Sequence, residues 1–308
     1  MIDSHDLSLK ESISLIKLNG KSFYWASLFL TKSTTEEAVI LYSFCRLLDD
    51  LADQKGDKLL ELQNYQSSIS SLPIKVAGYT LMSFLKKHKV NQLVIKDLID
   101  GFIFDQGLVR IVNKKQLIIY CYQVAGTVGL MMSSILKPSS TYANKFAIDL
   151  GIAMQLTNIA RDVKEDALDH NRQYLPSEIF DGVNFETLHS ICIGKNNEKE
   201  NLKIKNAIIE ILKISDEYYK SGMNGLRYLP IRSHLSLGIA ALVYRQIGVK
   251  IIKNNILWHK DRVYLSSLEK FFTSIKIIPH LFKRFLQNPI HNDGLHEDLK
   301  EVVNANYF

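Results

Sequence analysis

The sequence has few residues that interrupt helices and few that build disulfide frameworks. Its 308 residues include 6 prolines, 15 glycines and 3 cysteines. Because the prolines stand far apart, at 73, 138, 176, 230, 279 and 289, they leave long stretches in which a helix can continue. Alternating apolar and polar runs between turn signals, which would predict strands and hairpins, are also missing. We therefore expect long helices, in one large domain or two small ones.

The cysteines and the charge exclude several functional classes. Cys45, Cys121 and Cys192 are odd in number and widely spaced, which predicts reduced thiols in a cytosolic protein and no zinc-ligand spacing. A net charge of +6 is too small and dispersed to indicate nucleic-acid binding, but it suits an anionic substrate or membrane surface. Residues 1–6 hold no basic segment followed by an apolar run, so we expect no secretory signal and a cytoplasmic location.

One stretch is long enough to cross a membrane, since residues 117–136 carry no charge. They include two tyrosines, a glutamine and two serines, and this polarity favours a buried core helix over a membrane span. A hydrophobic content of 46% is typical of a globular protein with a sizeable core. Gly126 and Gly129 permit close helix packing or leave space for a ligand chain, and packing is the default interpretation.

An acidic stripe follows one face of a predicted helix. Tyr42, Arg46, Asp49 and Asp53 stand at positions i, i+4, i+7 and i+11, while another face is apolar. Two carboxylates one turn apart repel each other, and an oxygen-preferring cation such as Mg²⁺ turns that repulsion into coordination. An isolated acidic pair usually faces water, so this stripe does not by itself establish a metal site.

A second stripe repeats the pattern later in the chain. Gln155, Asn158, Asp162 and Asp166 stand at i, i+3, i+7 and i+11, after an apolar segment that contains one charged residue, Asp149. Buried amides and carboxylates need partners, because leaving them unpaired costs free energy. Two acidic stripes that face each other across a cavity would hold a cluster of divalent cations, and the natural ligand of such a cluster is a diphosphate.

Hydrophobic periodicity and capping residues divide the chain into predicted helices. A capping box at Thr34–Glu37 is expected to begin the helix that carries the first stripe, and this helix should end near Gln54–Asp57. Residues 179–193 are expected to be irregular or a short helix. The other helices are predicted at 8–18, 58–89 with a break at 71–73, 91–110, 114–136, 142–166, 202–228 and 236–256.

Two loops offer groups that could bind phosphate. The break at Asn19–Phe23 contains Lys21 and Ser22, which would reach phosphate oxygens or simply form a turn and a helix cap, the commoner arrangement. The polar loop Asp169–Pro176 presents Arg172, whose guanidinium would cover a phosphate.

The C-terminal region is basic and amphipathic. Between Val249 and Leu286, eight lysines and arginines stand against Asp261 and Glu269. The apolar residues that recur there at helical spacing are Leu268, Phe271, Phe272, Ile275, Ile278, Leu281, Phe282 and Phe285. Such a surface lies on an anionic membrane or, more commonly, belongs to an outer helix packed on the core.

Four motifs in order resemble the squalene/phytoene synthase family and cover nearly the whole chain. They are Cys45-Arg46-x-x-Asp49-Asp50-x-x-Asp53, Tyr120-Cys-Tyr-x-Val-Ala-Gly-Thr-Val-Gly129, Gln155-Leu-x-Asn158-Ile-x-Arg161-Asp162-x-x-Glu165-Asp166 and Arg172-x-Tyr174-Leu-Pro176. Within the family, the bacterial phytoene synthases are the most similar. The resemblance implies an all-α isoprenoid synthase fold, with helices around a central cavity, in a single prenyl-diphosphate synthase domain over residues 1–308.

The resemblance also implies which residues form the site. The implied ligands of Mg²⁺, or of Mn²⁺ in its place, are Asp49, Asp53, Asn158, Asp162 and Asp166, and the four aspartates are implied to be catalytic. The residues implied to contact substrate are Lys21, Ser22, Phe23, Tyr42, Arg46, Tyr120, Gln155, Arg161, Arg172, Tyr244 and Arg262. The family often has Ser-Lys-Ser-Phe where this chain has Gly20-Lys21-Ser22-Phe23, so position 20 supplies no hydroxyl here.

The implied activity is that of a prenyltransferase in carotenoid biosynthesis, which condenses two geranylgeranyl diphosphates head to head to phytoene through prephytoene diphosphate. The alternative within this chemistry is a dehydrosqualene or presqualene diphosphate synthase that uses farnesyl diphosphate. The alternative of another class is a non-catalytic helical scaffold, although a scaffold has no physical need for the four aspartates. The sequence has no glycine-rich dinucleotide fingerprint, and we expect no NADPH requirement.

The expected partners follow from this interpretation. We expect a prenyl diphosphate substrate, no nucleic acid, and a peripheral contact of the basic C-terminal helix with the inner face of a membrane. The sequence makes no prediction of the oligomeric state.

Overall fold

The computed structural model describes residues 6–54, 58–195, 197–260, 262–286 and 289–303. The first helices are α1 (Leu9–Asn19), α2 (Lys21–Ser27), α3 (Lys32–Ala52), α4 (Leu59–Ser67), α5 (Leu81–Lys87) and α6 (Gln92–Asp105). They are followed by α7 (Lys114–Cys121), α8 (Thr127–Leu136), α9 (Ala143–Asp169), α10 (Phe185–Cys192), α11 (Glu198–Asn224), α12 (Ile231–Lys253), α13 (Ser267–Ile275) and α14 (Ile278–Phe282). The all-α prediction is therefore confirmed for the described residues.

The helix α3 begins earlier than the capping box predicted. The side chain of Thr31 accepts a hydrogen bond from the backbone N–H of Thr34, so Thr31 is the N-cap and Thr34 lies inside the first turn. The helix ends at Ala52, and Asp53 is its C-cap. Residues 55–57, where the end was expected, lie outside the described residues, as do residues 1–5, on which the expectation about a secretory signal depends.

A small sheet corrects the expectation that strands and hairpins are missing. Strand β1 (Asp6–Leu7) pairs in parallel with β2 (Lys75–Val76), and β2 pairs antiparallel with β3 (Tyr79–Thr80) across a tight turn. Each strand has two residues, which is too short for an alternating pattern to show in sequence. The segment 58–89 thus has the predicted break at 71–73, but the break is longer than expected, because it also holds a 3₁₀ turn at Ile69–Ser71 and this hairpin.

The charge-free stretch forms α7 and α8, joined by one π-helical turn over Tyr122–Gly126. Its glycines serve helix packing: a Cβ atom on Gly129 would lie 2.2 Å from the carbonyl oxygen of Ala147 on α9. Only glycine therefore allows the two helix backbones to approach this closely. Two helical segments, Lys114–Leu136 and Ile231–Lys253, are long and apolar enough to span a membrane, and most of each span lies buried inside the protein.

Helix α9 is the centre of the architecture. It packs against α8, α11 and α12, with α10 beside its C-terminal half. The apolar face of α3, with Phe44, Leu48 and Leu51, belongs to the same continuous core. The two acidic stripes therefore lie on helices that share one core, which holds their polar faces in a fixed relation.

Helix α13 presents its apolar residues to solvent. Phe271 and Phe272 are 52% and 64% exposed, whereas Thr273 is 4% exposed. The buried side of α13 is anchored by polar contacts, including a hydrogen bond of 3.1 Å from Trp25 Nε1 to Ser274 Oγ. The preferred prediction, an outer helix whose apolar face packs on the core, is therefore wrong for α13.

Candidate active site

The first stripe lies at the C-terminal end of α3. Arg46 pairs with Asp49 at 3.1 Å and with Asp50 at 2.5 Å, so the arginine is held against the acidic turn. Desolvation within the fold, and next the charge of Asp53, raises the pKa of Asp49 to about 7. A cation that neutralises both carboxylates would remove this mutual repulsion.

The second stripe lies in the C-terminal half of α9. Arg161 binds the Asp162 carboxylate through two hydrogen bonds of 2.7 and 2.6 Å. Arg262 reaches the same carboxylate from the segment before α13, at 2.7 Å. It also pairs with Glu165 at 2.9 Å. Asp162 is thus held by two guanidinium groups that come from distant parts of the chain.

Asn158 presents an unused oxygen in this stripe. Its Nδ2 donates to Gln155 Oε1 at 3.2 Å, which sets the orientation of the amide. Its Oδ1 is buried and has no hydrogen-bond partner among the described residues. A buried acceptor without a partner costs free energy, and a metal ion is one partner that satisfies it.

Arg172 and Asp105 lie between the two stripes. From the loop after α9, Arg172 Nη1 contacts Asp53 Oδ1 at 3.1 Å. Its Nη2 donates to the backbone carbonyl of Asp105, at the end of α6, also at 3.1 Å. His170, in the same loop, lies 3.9 Å from Asp53.

Asp105 itself is held by two tyrosines. The hydroxyls of Tyr120 and Tyr174 donate to its two carboxylate oxygens at 3.0 and 2.7 Å, and their rings stack at 4.7 Å. Burial raises the pKa of Asp105 to about 6, although Arg172 and both tyrosines oppose the rise. The carboxylate is therefore a fixed part of the polar region between α3 and α9.

Arg172 links the two stripes, because its backbone N–H donates to the carbonyl oxygen of Asp166 at 2.8 Å while its side chain contacts Asp53. Burial and the adjacent Asp162 raise the pKa of Asp166 well above its usual value, and Asp105 adds to the rise. Asp105 also contributes, after burial and Asp53, to the raised pKa of Asp49. One carboxylate on α6 thus acts on an aspartate of each stripe, so the stripes border one acidic region.

Aromatic rings adjoin the acidic region. The ring of Phe23 on α2 lies 6.4 Å from the ring of Tyr42 and 5.0 Å from that of Tyr244. Desolvation raises the pKa of Tyr42 to about 12, so its hydroxyl stays protonated. Lys21 and Ser22 precede Phe23 in the first turn of α2, where helix resumes directly after Gly20, so the predicted break over 19–23 is confined to one residue.

The donor set fits a divalent cation of the Mg²⁺ class. Carboxylates and an amide oxygen are the ligands that such hard cations prefer, and all five predicted ligands are of these types. Burial is the main cause of the raised pKa values of Asp49 and Asp166, and neighbouring carboxylates raise them further, a repulsion that a bound cation would remove. The partnerless oxygen of Asn158 points to the same conclusion.

A cleft of about 390 Å³ lies beside this region. It is lined by Arg161 from α9 and by apolar residues of the C-terminal third, among them Ile251, Trp258 and Val263. Arg161 is the one predicted site residue in its lining, so the carboxylate stripes lie outside it.

Sequence reasoning missed three side chains of the acidic region. Tyr174 and Glu165 stand within recognised motifs, beside Arg172 and Asp162, and that proximity was an available signal. Asp105 offered none: it reaches the site because α6 packs beside α3 and the π-helical turn, which no local pattern in the sequence reveals.

Comparisons with known proteins show which family the chain is similar to. The family model for squalene/phytoene synthase matches residues 16–269. The 15-cis-phytoene synthase of Enterobacter agglomerans is 30% identical over 272 residues, which cover 83% of this chain and 90% of the relative. The phytoene synthase of Thermus thermophilus is 31% identical over 250 residues, covering 79% of this chain and 82% of the relative.

Solved structures show the same fold. A dehydrosqualene synthase, solved in complex with a ligand, superposes with a TM-score of 0.73 at 26% identity, covering 89% of this chain and 96% of that one. The squalene synthase HpnC from Alicyclobacillus acidocaldarius gives a TM-score of 0.66 at 19% identity, covering 80% and 95%, which supports the fold alone. With its isoprenoid synthase fold, its paired acidic stripes and a family match over most of its length, this protein belongs to the squalene/phytoene synthase family of prenyltransferases, similar to the bacterial phytoene synthases.

Proposed function

We propose that the protein condenses two geranylgeranyl diphosphates head to head and forms phytoene through prephytoene diphosphate, in a Mg²⁺-dependent reaction. The family itself supports the head-to-head condensation, and relatives named phytoene synthase support the longer substrate. The observation that carries the proposal is the convergence of two acidic stripes, bridged by Arg172 and Asp105, on one region. A diphosphate with its metal ions is the ligand whose charge this region complements.

Asp49, Asp53, Asn158, Asp162 and Asp166 are the residues that would hold Mg²⁺, and oxygen donors of this kind accept Mn²⁺ as well. When bound, the metal supplies Lewis-acid character that neutralises a diphosphate and makes it a good leaving group. The four aspartates serve the reaction by providing the negative charge that gathers the cations.

The arginines of the site bind the diphosphate oxygens. Arg46, Arg161, Arg172 and Arg262 now pair with carboxylates of the two stripes. With these carboxylates bound to metal, the guanidinium groups would be free to bind phosphate through paired hydrogen bonds. Further contacts with the diphosphate are assigned to the polar side chains of Lys21, Ser22 and Gln155.

The aromatic side chains stabilise carbocations and exclude water. Loss of diphosphate from an allylic carbon leaves a cation, which the double bond of the second substrate attacks to give a cyclopropyl product. Phe23, Tyr42, Tyr120 and Tyr244 offer ring faces, whose attraction for a cation is about 1–2 kcal/mol when water is excluded. Closure of the cyclopropane ring releases one proton. Loss of the second diphosphate, rearrangement of the resulting cation and loss of a second proton then give phytoene, with the released diphosphate as the proton acceptor.

The experiment is one incubation of the purified protein with Mg²⁺ and geranylgeranyl diphosphate, without a nicotinamide reductant, followed by extraction and chromatography. Phytoene is the expected product. Product from farnesyl diphosphate alone would replace the proposal with a dehydrosqualene or presqualene diphosphate synthase, an alternative that the likeness to a dehydrosqualene synthase supports. No product from either substrate, with lipid and reductant added, would favour a non-catalytic scaffold.

We also propose that α13, α14 and the residues up to Leu286 lie on the cytoplasmic face of an anionic membrane. Their exposed apolar side chains form a surface, here called the C-terminal apolar face, that consists of Leu268, Phe271, Phe272, Ile275, Ile278, Phe282, Phe285 and Leu286. Lys270, Lys276 and Lys283 stand on the same segment and complement anionic headgroups. Such contact suits a catalyst whose substrate and product are lipids.

A further inference from the structure

A buried carboxylate on α9 lies outside both acidic stripes. Asp149 is fully buried in a segment that is otherwise apolar. It stands two turns before Gln155, on the helix that carries the second stripe. A buried charge requires a partner, because an uncompensated one is costly, so the surroundings of Asp149 define a site that the proposed reaction does not use.

Two histidines from the C-terminal segment meet this carboxylate. His291 Nε2 lies 2.9 Å from Asp149 Oδ2, and His296 Nε2 lies 2.8 Å from Asp149 Oδ1. The side chains of Asp149 and His291 are completely buried, and that of His296 is 12% exposed. One oxygen of Asp149 and one nitrogen of each histidine therefore lie within 4.8 Å of one another, although the aspartate is more than 140 positions away from the histidines in sequence.

The ring of His291 is fixed by groups on its other side. Its Nδ1 lies 2.8 Å from Asp293 Oδ1, and Lys145 Nζ holds the same carboxylate at 2.8 Å. The backbone N–H of His291 donates to the hydroxyl of Tyr142 at 2.9 Å. A carboxylate on the far nitrogen of a histidine is the usual support of a metal-ligating imidazole, because it sets the tautomer and the ring orientation.

That orientation has a chemical consequence. A protonated His291 donates Nδ1–H to Asp293 and Nε2–H to Asp149. A divalent cation that replaces the Nε2 proton would bind this nitrogen and the Asp149 oxygen together, because metal ligation requires the deprotonated nitrogen. Ser221 Oγ donates to Asp149 Oδ2 at 2.5 Å, which helps to fix the carboxylate.

We propose that Asp149, His291 and His296 bind one divalent transition-metal ion of the zinc class. Two imidazole nitrogens and one carboxylate form a donor set that suits Zn²⁺ and is unlike the all-oxygen set of the acidic stripes. A tetrahedral ion with bonds of about 2.0–2.1 Å keeps its ligands about 3.3 Å apart, so side-chain adjustments of about an ångström complete the geometry. The ion would fasten the C-terminal segment 289–299 to the helix that carries Asn158 and Asp162.

The experiment uses the full chain without a polyhistidine tag. The protein is stripped with a chelator, supplied with Zn²⁺ in excess Mg²⁺ to occupy the acidic stripes, and desalted, and its zinc content is then measured. We expect one tightly held zinc per chain. The variants His291→Gln and His296→Gln should each retain at least about tenfold less, since even outer-shell changes weaken metal sites about 10–100-fold. Asp293→Asn should weaken binding while leaving all three ligands in place.

The control variant is His189→Gln, which changes a histidine of α10 and should retain zinc like the unaltered chain. X-ray absorption on the zinc-loaded, unaltered protein provides a readout that does not depend on the folding of any variant. It should show the scattering of two imidazoles with an oxygen donor. A stripped protein that takes up no zinc, zinc uptake that is indifferent to both histidines, or a spectrum without imidazole scattering would each overturn the proposal.

Discussion

Arg172 and Asp53 form an ion pair of 3.1 Å between the loop that follows α9 and the C-cap of α3. The pair joins the two halves of the site, because one partner comes from each acidic helix region. Arg172 is also fixed by the backbone carbonyl of Asp105, so its guanidinium keeps one position between the stripes. If a diphosphate binds both stripes as proposed, Arg172 lies where its guanidinium would contact it.

Replacing Arg172 with glutamine should raise the KM for a prenyl diphosphate about 10–100-fold, because a hydrogen bond to a charged group contributes about 1.5–3 kcal/mol. Steady-state kinetics with geranylgeranyl diphosphate measures the effect. The matched variant Arg232→Gln changes an exposed arginine at the start of α12 and should leave KM unchanged. Equal KM values for Arg172→Gln and the unaltered enzyme would remove Arg172 from the diphosphate site.

Asp49→Asn and Asp162→Asn should each lower turnover by at least about 100-fold, since even the outer-shell partners of metal ligands contribute about 10–100-fold. Each substitution keeps the side-chain size and removes one anionic ligand. Asp169→Asn, an exposed residue in the last turn of α9, serves as the control with the same chemical change. Magnesium titrations with and without diphosphate accompany the kinetics. If either site variant kept near-normal turnover, the metal assignment would fail.

Gly129→Ala should destabilise the protein by about 1–3 kcal/mol, the usual cost of overpacking. The new methyl group would lie 2.2 Å from the carbonyl oxygen of Ala147. Because this oxygen belongs to the backbone of α9, the clash can be relieved only if the two helices move apart. Gly107→Ala is the control, because its nearest neighbour would be at an ordinary 3.5 Å. Urea unfolding of the three proteins measures the difference. Equal stability of the two variants would contradict the close approach of α8 and α9.

His234 predicts a pH dependence of stability. Burial, and next the charge of Arg284, lowers its pKa from 6.5 to about 4. Arg284 donates to its Nδ1 at 3.0 Å, a bond that requires the neutral ring. Because the pKa of His234 is lower in the folded state than in the unfolded chain, its neutral ring contributes fully to the free energy of unfolding above pH 6.5. This contribution is lost as the pH falls through about 4. At about 1.4 kcal/mol per pKa unit, the loss approaches about 3 kcal/mol.

The measurement compares urea unfolding of the unaltered chain and His234→Asn from neutral pH down to pH 4. The asparagine oxygen still accepts from Arg284 but does not titrate, so the variant should gain stability relative to the unaltered chain as the pH falls. A difference between the two proteins that stays constant over this range would show that His234 contributes no such dependence.

The C-terminal apolar face should control membrane binding. A double variant, Phe271→Ser with Phe272→Ser, should bind vesicles of phosphatidylglycerol at least about tenfold more weakly, because inserting one such ring contributes about 1.5–3 kcal/mol. Both residues are exposed, so the fold should not change. Leu60→Ser removes an equally exposed apolar residue from α4 and is the control. Co-sedimentation with phosphatidylglycerol and with phosphatidylcholine vesicles measures binding. Binding of the double variant at full strength would exclude this surface.

The sequence by itself determined the helices, the two acidic stripes and the family. These follow from residues a few positions apart: the side chains of Asp49 and Asp53, or of Asn158 and Asp162, share a helix face because the helical period places them there. Four motifs in order then made the family resemblance specific, and the comparisons confirmed it. The small sheet escaped prediction because strands of two residues carry no periodicity.

Only the tertiary structure decided which groups meet across the chain. Asp105 joins the site, Arg172 bridges to Asp53, and His291 and His296 close on Asp149 because helix packing brings together residues far apart in sequence. For the same reason, the sequence did not decide whether the apolar face of α13 packs on the core or faces outward. Its pattern is the same whether it faces core or solvent, and the structure places its small polar residues Thr273 and Ser274 inward. Local periodicity fixes which residues share a face, whereas the packing of the whole core fixes what that face meets.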